Sequence, residues 1–192
     1  MSTLSTDCYL CEAIKYKVDS FRIANHSDIE DIVQLVNVAY RPNSNIAGWT
    51  HEADLVSGKR INTEKLTDIL SKLDVVILVA TKNLTIVVCV EVEKQGNSSH
   101  IGMLAVNPKL QSQGVGKQML EYAENYARLN FNANKFVMMV LSSRPELIDF
   151  YLKCGYQKSG SVIDYPISAG VGIPKQTNLK LEFLEKRSSQ TV

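Results

Sequence analysis

By type and spacing, the residues best suited to chemistry are Gly114-Val115-Gly116-Lys117, set between an apolar run at 101–106 and an amphipathic pattern that starts directly behind them. Asn107 and Pro108 stop the run, and a polar loop follows. Strand, glycine loop and helix together gather backbone N–H groups that lack an intrahelical acceptor, at the positive end of the helix dipole. Such a site suits a phosphate or pyrophosphate. The first expectation is therefore a phosphorylated cofactor held by residues 100–119, with the rest of the chain delivering a substrate to it.

Two common phosphate loops do not fit. A P-loop needs a hydroxyl residue after Gly-Lys and a glycine where Gln111 stands, but Gln118 follows Gly116-Lys117. A dinucleotide fingerprint needs a third glycine for close helix packing, and Met119 occupies that position.

The surrounding elements follow from periodicity. Residues 1–16 read as a tail or packed arm, and 17–187 as one domain beginning with a strand at 17–23. Ser27-Asp28-Ile29-Glu30 reads as a capping box, followed by a helix through Ile29, Ile32, Val33, Val36 and Tyr40 that must stop before Pro42. A second helix is expected at 63–72. Runs at 75–80 and 84–92, parted by Lys82-Asn83, predict a hairpin, and a turn at 95–99 leads into the strand before the glycine loop. Met119, Leu120, Ala123, Tyr126 and Ala127 give the next helix an apolar face. The non-alternating run at 136–141 predicts a strand buried on both faces, parallel to the one before the loop. A helix at 146–153 and strands near 157–165 and 177–185 complete the order, with 166–174 read as a loop. The fold class is α/β, a single-domain mixed sheet of about seven mostly antiparallel strands flanked by helices.

Composition removes several functions. Charge is +1 over 192 residues without a basic block, which argues against nucleic acid or an anionic membrane as partner. The N-terminus lacks a signal-peptide pattern and the apolar runs are too short to span a bilayer, so a cytoplasmic protein is expected. Cys89 and Cys154 read as small core residues. Cys8 and Cys11 form a C-x-x-C without a second pair or nearby histidine, so no metal is expected.

Gln111-Ser112-Gln113-Gly114-Val115-Gly116 after Leu104-Ala105-Val106-Asn107-Pro108 resembles the acetyl-CoA signature of the GCN5-related N-acetyltransferases (GNAT). Phe150-Tyr151-Leu152-Lys153-Cys154-Gly155-Tyr156 resembles the family's second motif, and the element order matches beyond the first fifteen or so residues. The resemblance implies an acyl-CoA N-acyltransferase-like fold and acetyl-CoA as acyl donor. It implies that backbone groups of Leu104, Ala105 and Val106 pair with the pantetheine arm. It also implies that Ser112, Gln113, Gly114, Val115, Gly116 and Lys117, with Gln111 beside them, hold the pyrophosphate, and that Tyr151 protonates the leaving thiolate. Arg144 stands where many members carry asparagine, and it either bridges to CoA or pairs with Glu146 as a solvated charge.

Acetyl transfer needs a neutral amine, hence a base. His100 occupies the position of the glutamate base of histone-type members, and its unperturbed pKa of about 6.5 suits the task. Met139 stands where other members carry a glutamate and cannot serve, while Glu91 and Glu93 share one face of the neighbouring strand. His100 and Glu91 rank together as candidates, beside water. Trp49 and Glu52 lie in the region that shapes the acceptor pocket in the family, where Glu52 could pair with a cationic amine. The expected reaction is direct attack of a primary amine, from a small molecule or peptide, on the thioester. Another acyl-CoA, a non-amine acceptor, a non-catalytic CoA-binding module and a homodimer stay open.

Overall fold

The computed structural model describes residues 17–42 and 51–188. Its main sheet has seven strands: β1 (Ser20–Ile23), β3 (Val75–Lys82), β4 (Thr85–Gln95), β5 (Ser98–Val106), β6 (Lys135–Leu141), β7 (Gln157–Asp164) and β9 (Lys180–Arg187), in the order β1-β3-β4-β5-β6-β9-β7. All pairings are antiparallel except β5 with β6. This is the mixed, mostly antiparallel sheet expected, with the parallel pair where the strand–helix–strand unit requires it. Two short strands not anticipated, β2 (Val56–Ser57) and β8 (Ile173–Pro174), pair with each other and pin the 166–174 connection to the 51–60 segment.

Four helices cover the sheet. α1 (Ile29–Tyr40) and α2 (Thr63–Leu70) pack on one face through Ile32, Val36, Ala39, Leu66 and Ile69 against Ile77, Val79 and Ala105. α3 (Val115–Asn130) and α4 (Pro145–Lys153) contribute Met119, Leu120, Ala123, Leu147 and Tyr151 to the other layer, against Val88, Val90, Leu104 and Met138. An isolated eight-residue helix such as α2 is marginal in water. Its anchors are Leu66, which is fully buried, and the Asn62 side chain, which caps Lys65 N–H at 2.9 Å.

Three local expectations shift. The capping box lies two residues earlier than expected, on Asn25 and Asp28: Ser27 N–H donates to the Asn25 side chain and Asn25 N–H to Asp28, both at 2.8 Å. Asp28 wins the role because Arg22 holds the same carboxylate at 2.6 and 2.8 Å. The first hairpin turns on Asn83 and Leu84, both at positive φ, one residue later than read. β6 is not buried on both faces along its length, because Met139 is 39% exposed.

Candidate active site

Two departures from sheet regularity open the site. β5 and β6 pair only over Ser98–His100 and Lys135–Val137, although β5 runs on to Val106 and β6 to Leu141. Beyond His100 the strands diverge, leaving a wedge between them. β5 also carries one extra residue against β4: Cys89 pairs with Ala105 but Glu91 with Gly102, and Met103 sits between at φ 49°. Such a bulge bends a strand and re-aims its backbone groups. The Leu104 carbonyl at this bulge accepts a hydrogen bond from the buried Tyr40 hydroxyl at 3.0 Å.

The wedge holds a cavity of about 340 Å³, lined among others by His100, Gly102, Leu104, Met139, Leu147 and Tyr151, with Glu91 and Glu52 on its wall. A second groove of about 350 Å³ runs beside it along the glycine loop, between Leu104, Val106, Gln111, Ser112, Gly114, Gly116 and Lys117 on one side and Phe150 and Tyr151 on the other. Leu104, Leu147 and Tyr151 belong to both, so the two spaces meet at Tyr151.

The loop leads directly into the N-terminus of α3. A 3-10 turn at Pro108–Leu110 follows Asn107, whose side chain accepts from Lys109 N–H, and the Gln111 amide donates back to Val106 O at 3.3 Å. Ser112 and Gly114 adopt left-handed conformations at φ 62° and 82°. Only glycine takes that φ without cost, which accounts for Gly114. α3 then starts at Val115 without a side-chain cap and without an acidic residue in its first turn, and Gly114, Gly116 and Lys117 at this terminus line the groove. At Gly116 a Cβ would come within 3.4 Å of Val106, so its absence keeps helix and strand close.

The Tyr151 ring is buried, edge-on to Phe150 and Tyr156 at 5.1 and 6.1 Å between centroids, and its hydroxyl makes no hydrogen bond among the described residues. Burial, with Tyr40, Cys154 and Glu52 nearby, pushes the phenol well above its ordinary value, so it stays protonated. His100 folds its ring over Gly102, where a Cβ would stand 2.9 Å from the imidazole, and its buried Nε2 has no partner. Burial lowers its pKa and keeps it neutral, against the opposing pull of Glu93. Burial raises the Glu91 carboxyl, the nearby Arg60 limiting the shift. Both candidate bases therefore move toward each other's range, on one wall of one cavity.

The remaining candidates separate. Glu52 lines the cavity, but Arg41 holds its carboxylate at 2.9 Å, so its charge is already met from within the protein. Arg144 is buried rather than solvated: it donates to the Glu146 carboxylate and the His51 carbonyl, tying α4 to the segment after α1, beside Gln111 and Ser112. Trp49, Cys8 and Cys11 lie outside the described residues. Cys89 is buried, its thiol pushed up to about 12, and burial also raises Cys154. Tyr40 and Arg60, whose guanidinium lies 5.2 Å over the Tyr40 ring, carry no sequence signal of a role in the site; Tyr40 reads only as an apolar helix position. Among the described residues there is no cluster of three metal-ligating side chains, and no helix is long and apolar enough to cross a membrane.

A family model described as an acetyltransferase (GNAT) domain matches residues 49–164. The chain belongs to the GNAT acetyltransferase family. Solved structures of similar fold include smu.2055 from Streptococcus mutans UA159 and an N-acetyltransferase from Staphylococcus aureus Mu50. Each is 18% identical with a TM-score of 0.67 and covers 88% of this chain; 98% and 96% of those chains are covered in turn. The spermidine N-acetyltransferase from Vibrio cholerae, in complex with CoA and spermine, is 17% identical with a TM-score of 0.65, covering 88% of this chain and 95% of its own. No curated protein matches the chain.

Proposed function

We propose that the protein is an N-acetyltransferase that moves the acetyl group of acetyl-CoA to a primary amine by direct attack. The observation that carries this reading is the junction of the loop groove and the wedge at Tyr151, which sets an uncapped helix N-terminus on one side of the phenol and a cavity holding Glu91 and His100 on the other.

Residues 112–117 hold the pyrophosphate through backbone N–H groups, with Lys117 adding charge at the mouth. On its β6 side, β5 has no paired strand at Leu104, Ala105 and Val106, so an extended pantetheine arm can pair there as a strand would. Backbone N–H groups at the bulge polarise the thioester carbonyl. Glu91 or His100 takes the proton from the attacking amine, the new C–N bond replaces the C–S bond, and Tyr151 donates to the departing sulfur. Glu52 shapes the cavity as a neutralised wall, and Arg144 supports the loop from beneath. The solved CoA and spermine complex of a structural neighbour supports a CoA donor and an amine acceptor for this fold.

The test is acetyl-CoA-dependent acetylation of a panel of primary amines, followed by thiol release and product mass. Stoichiometric thiol and acetylated amine support the reading. Acetyl-CoA binding with no amine acetylated, or acetylation of hydroxyls alone, would overturn it.

A further inference from the structure

Charge in the wedge is lopsided. Arg60, at the end of the segment before α2, and Lys65 and Lys72, on and just after α2, all line the cavity. Among the described residues none of the three forms an ion pair, whereas Glu52, the second carboxylate on the wall, is spent on Arg41. That leaves Glu91 as the one unpaired carboxylate facing three cations. The Arg60 Nε is buried and without a hydrogen-bond partner, in contrast to the ordinary rule that buried polar groups are satisfied. The Lys65 ammonium donates to the Ala169 carbonyl, a neutral acceptor that leaves two of its three donors free. Burial lowers the Lys65 pKa, and both Arg60 and Lys72 push it further down. These cations crowd one another with too little negative charge among them.

Their placement is directional. The cavity meets the loop groove through Leu104, Leu147 and Tyr151, and none of Arg60, Lys65 and Lys72 lines that groove. An acceptor whose amine points to Tyr151 therefore turns its far end toward α2. A polyamine would bring further positive charge to this end. An oxyanion would satisfy the Arg60 Nε and pair with Lys65, and a guanidinium beside an ammonium matches a carboxylate or phosphate.

We infer that the acceptor is a small amine bearing an oxyanion at its far end, a carboxylate or a phosphate, which Arg60 and Lys65 hold at the α2 end of the wedge. This rests on the transferase reading above. A cavity of about 340 Å³ is at the small end for ligand pockets and fits a molecule of amino-acid size.

The experiment compares matched amines with acetyl-CoA: each proteinogenic amino acid against its carboxamide, O-phosphoethanolamine against ethanolamine, and spermidine as the polycation. The expected result is at least a tenfold preference in kcat/KM for one anionic member over its neutral partner, carried mainly by KM. Arg60→Gln should reduce that preference tenfold or more while leaving the acetyl-CoA KM unchanged. Lys65→Gln, at a partly exposed position, serves if Arg60→Gln, which stacks on Tyr40, does not fold. The carboxylate and phosphate pairs separate the two sources of the oxyanion. Preference for spermidine or for the neutral partner, or a preference untouched in both variants, overturns the inference and leaves the transferase reading standing. If no amine turns over, the same compounds are titrated calorimetrically into the CoA-bound protein. Tighter binding of an anionic amine, lost in the variants, supports the oxyanion site at Arg60 and Lys65 independently of turnover, and equal or absent binding overturns the inference. A thermal shift with acetyl-CoA alone reports separately on the donor site.

Discussion

Tyr151→Phe removes one oxygen and little else. The ring stays edge-on to Phe150 and Tyr156, and the lost hydroxyl has no hydrogen-bond partner among the described residues, so stability should change by less than about 1 kcal/mol. The catalytic cost is bounded by the chemistry of the phenol. A positioned acid contributes roughly 10²–10⁴-fold. The Tyr151 phenol, held above its ordinary value of 10.0 by burial, gives up its proton to a thiolate of ordinary thiol pKa, about 8.5, only uphill. Its contribution is then a hydrogen bond to the departing sulfur more than a completed transfer, which puts the loss at the lower end. We expect kcat to fall about 100-fold, or about 2.7 kcal/mol in the barrier. Acetyl-CoA affinity should change less than about threefold, since the loop N–H groups are untouched. Because the phenol does not titrate near neutrality, the loss should be uniform from about pH 6 to 9. Steady-state thiol release across that range, with calorimetric affinity for acetyl-CoA, measures each quantity. A folded variant with kcat within twofold of wild type would refute the reasoning.

Further perturbations test other parts. If Glu91 is the base, kcat at saturating acceptor should fall as pH drops through a value above the ordinary carboxylate 4.5, and Glu91→Gln should abolish that limb while His100→Gln leaves it; if His100 is the base, the limb lies below 6.5 and the outcomes exchange. The groups that set these positions are Arg60, Glu93, Lys72 and Lys65 around Glu91, and Glu93 and Arg60 around His100. A limb surviving in both variants would assign proton removal to water. Gly114→Val forces a β-branched residue to φ 82°, at about 1–2 kcal/mol, and should weaken acetyl-CoA binding, leaving kcat at saturation largely intact; unchanged affinity would remove the loop from its role. Asp28→Ala removes the capping carboxylate and its pair with Arg22, at about 1–2 kcal/mol, lowering Tm by roughly 2–8 °C. Arg22 first, then the Asn25 N–H, holds the Asp28 pKa below 3.8, so this stability is present above that pH and lost as pH falls. A Tm gap that persists under acid conditions would contradict the assignment.

The loop was readable because its signal is chemical: Gly114 is needed for a positive φ, and a helix begins directly after it. The order of strands was readable for a similar reason, since β-branched runs and turn residues alternate plainly from 75 to 106. The capping register was not. Asn25-x-x-Asp28 and Ser27-x-x-Glu30 are both acceptable boxes in sequence, and only the Arg22 side chain, arriving from β1, decides between them. The bulge at Met103 leaves no trace, because an apolar residue at φ 49° looks like any other strand residue. The divergence of β5 from β6 is equally silent, as it depends on packing between strands far apart in the chain. Gly102 was the one available hint, a glycine in mid-strand that clears space for the His100 ring. Lys65 and Lys72 carry no local signal of a role, since only the packing of α2 and the turn after it brings them to a common space. Arg144 was read as a cofactor contact or a surface charge, and its burial between Glu146 and His51 follows from a loop contact that no local pattern encodes.

The most direct measurement is a calorimetric titration of acetyl-CoA into the wild-type protein, paired with Tm at a hundredfold excess over the measured Kd. One molecule bound per chain, with a gain of about 2.7 kcal/mol and a Tm rise of roughly 5–11 °C, is the predicted result. No heat and no shift at millimolar acetyl-CoA would contradict a donor site built from the glycine loop and the open edge of β5.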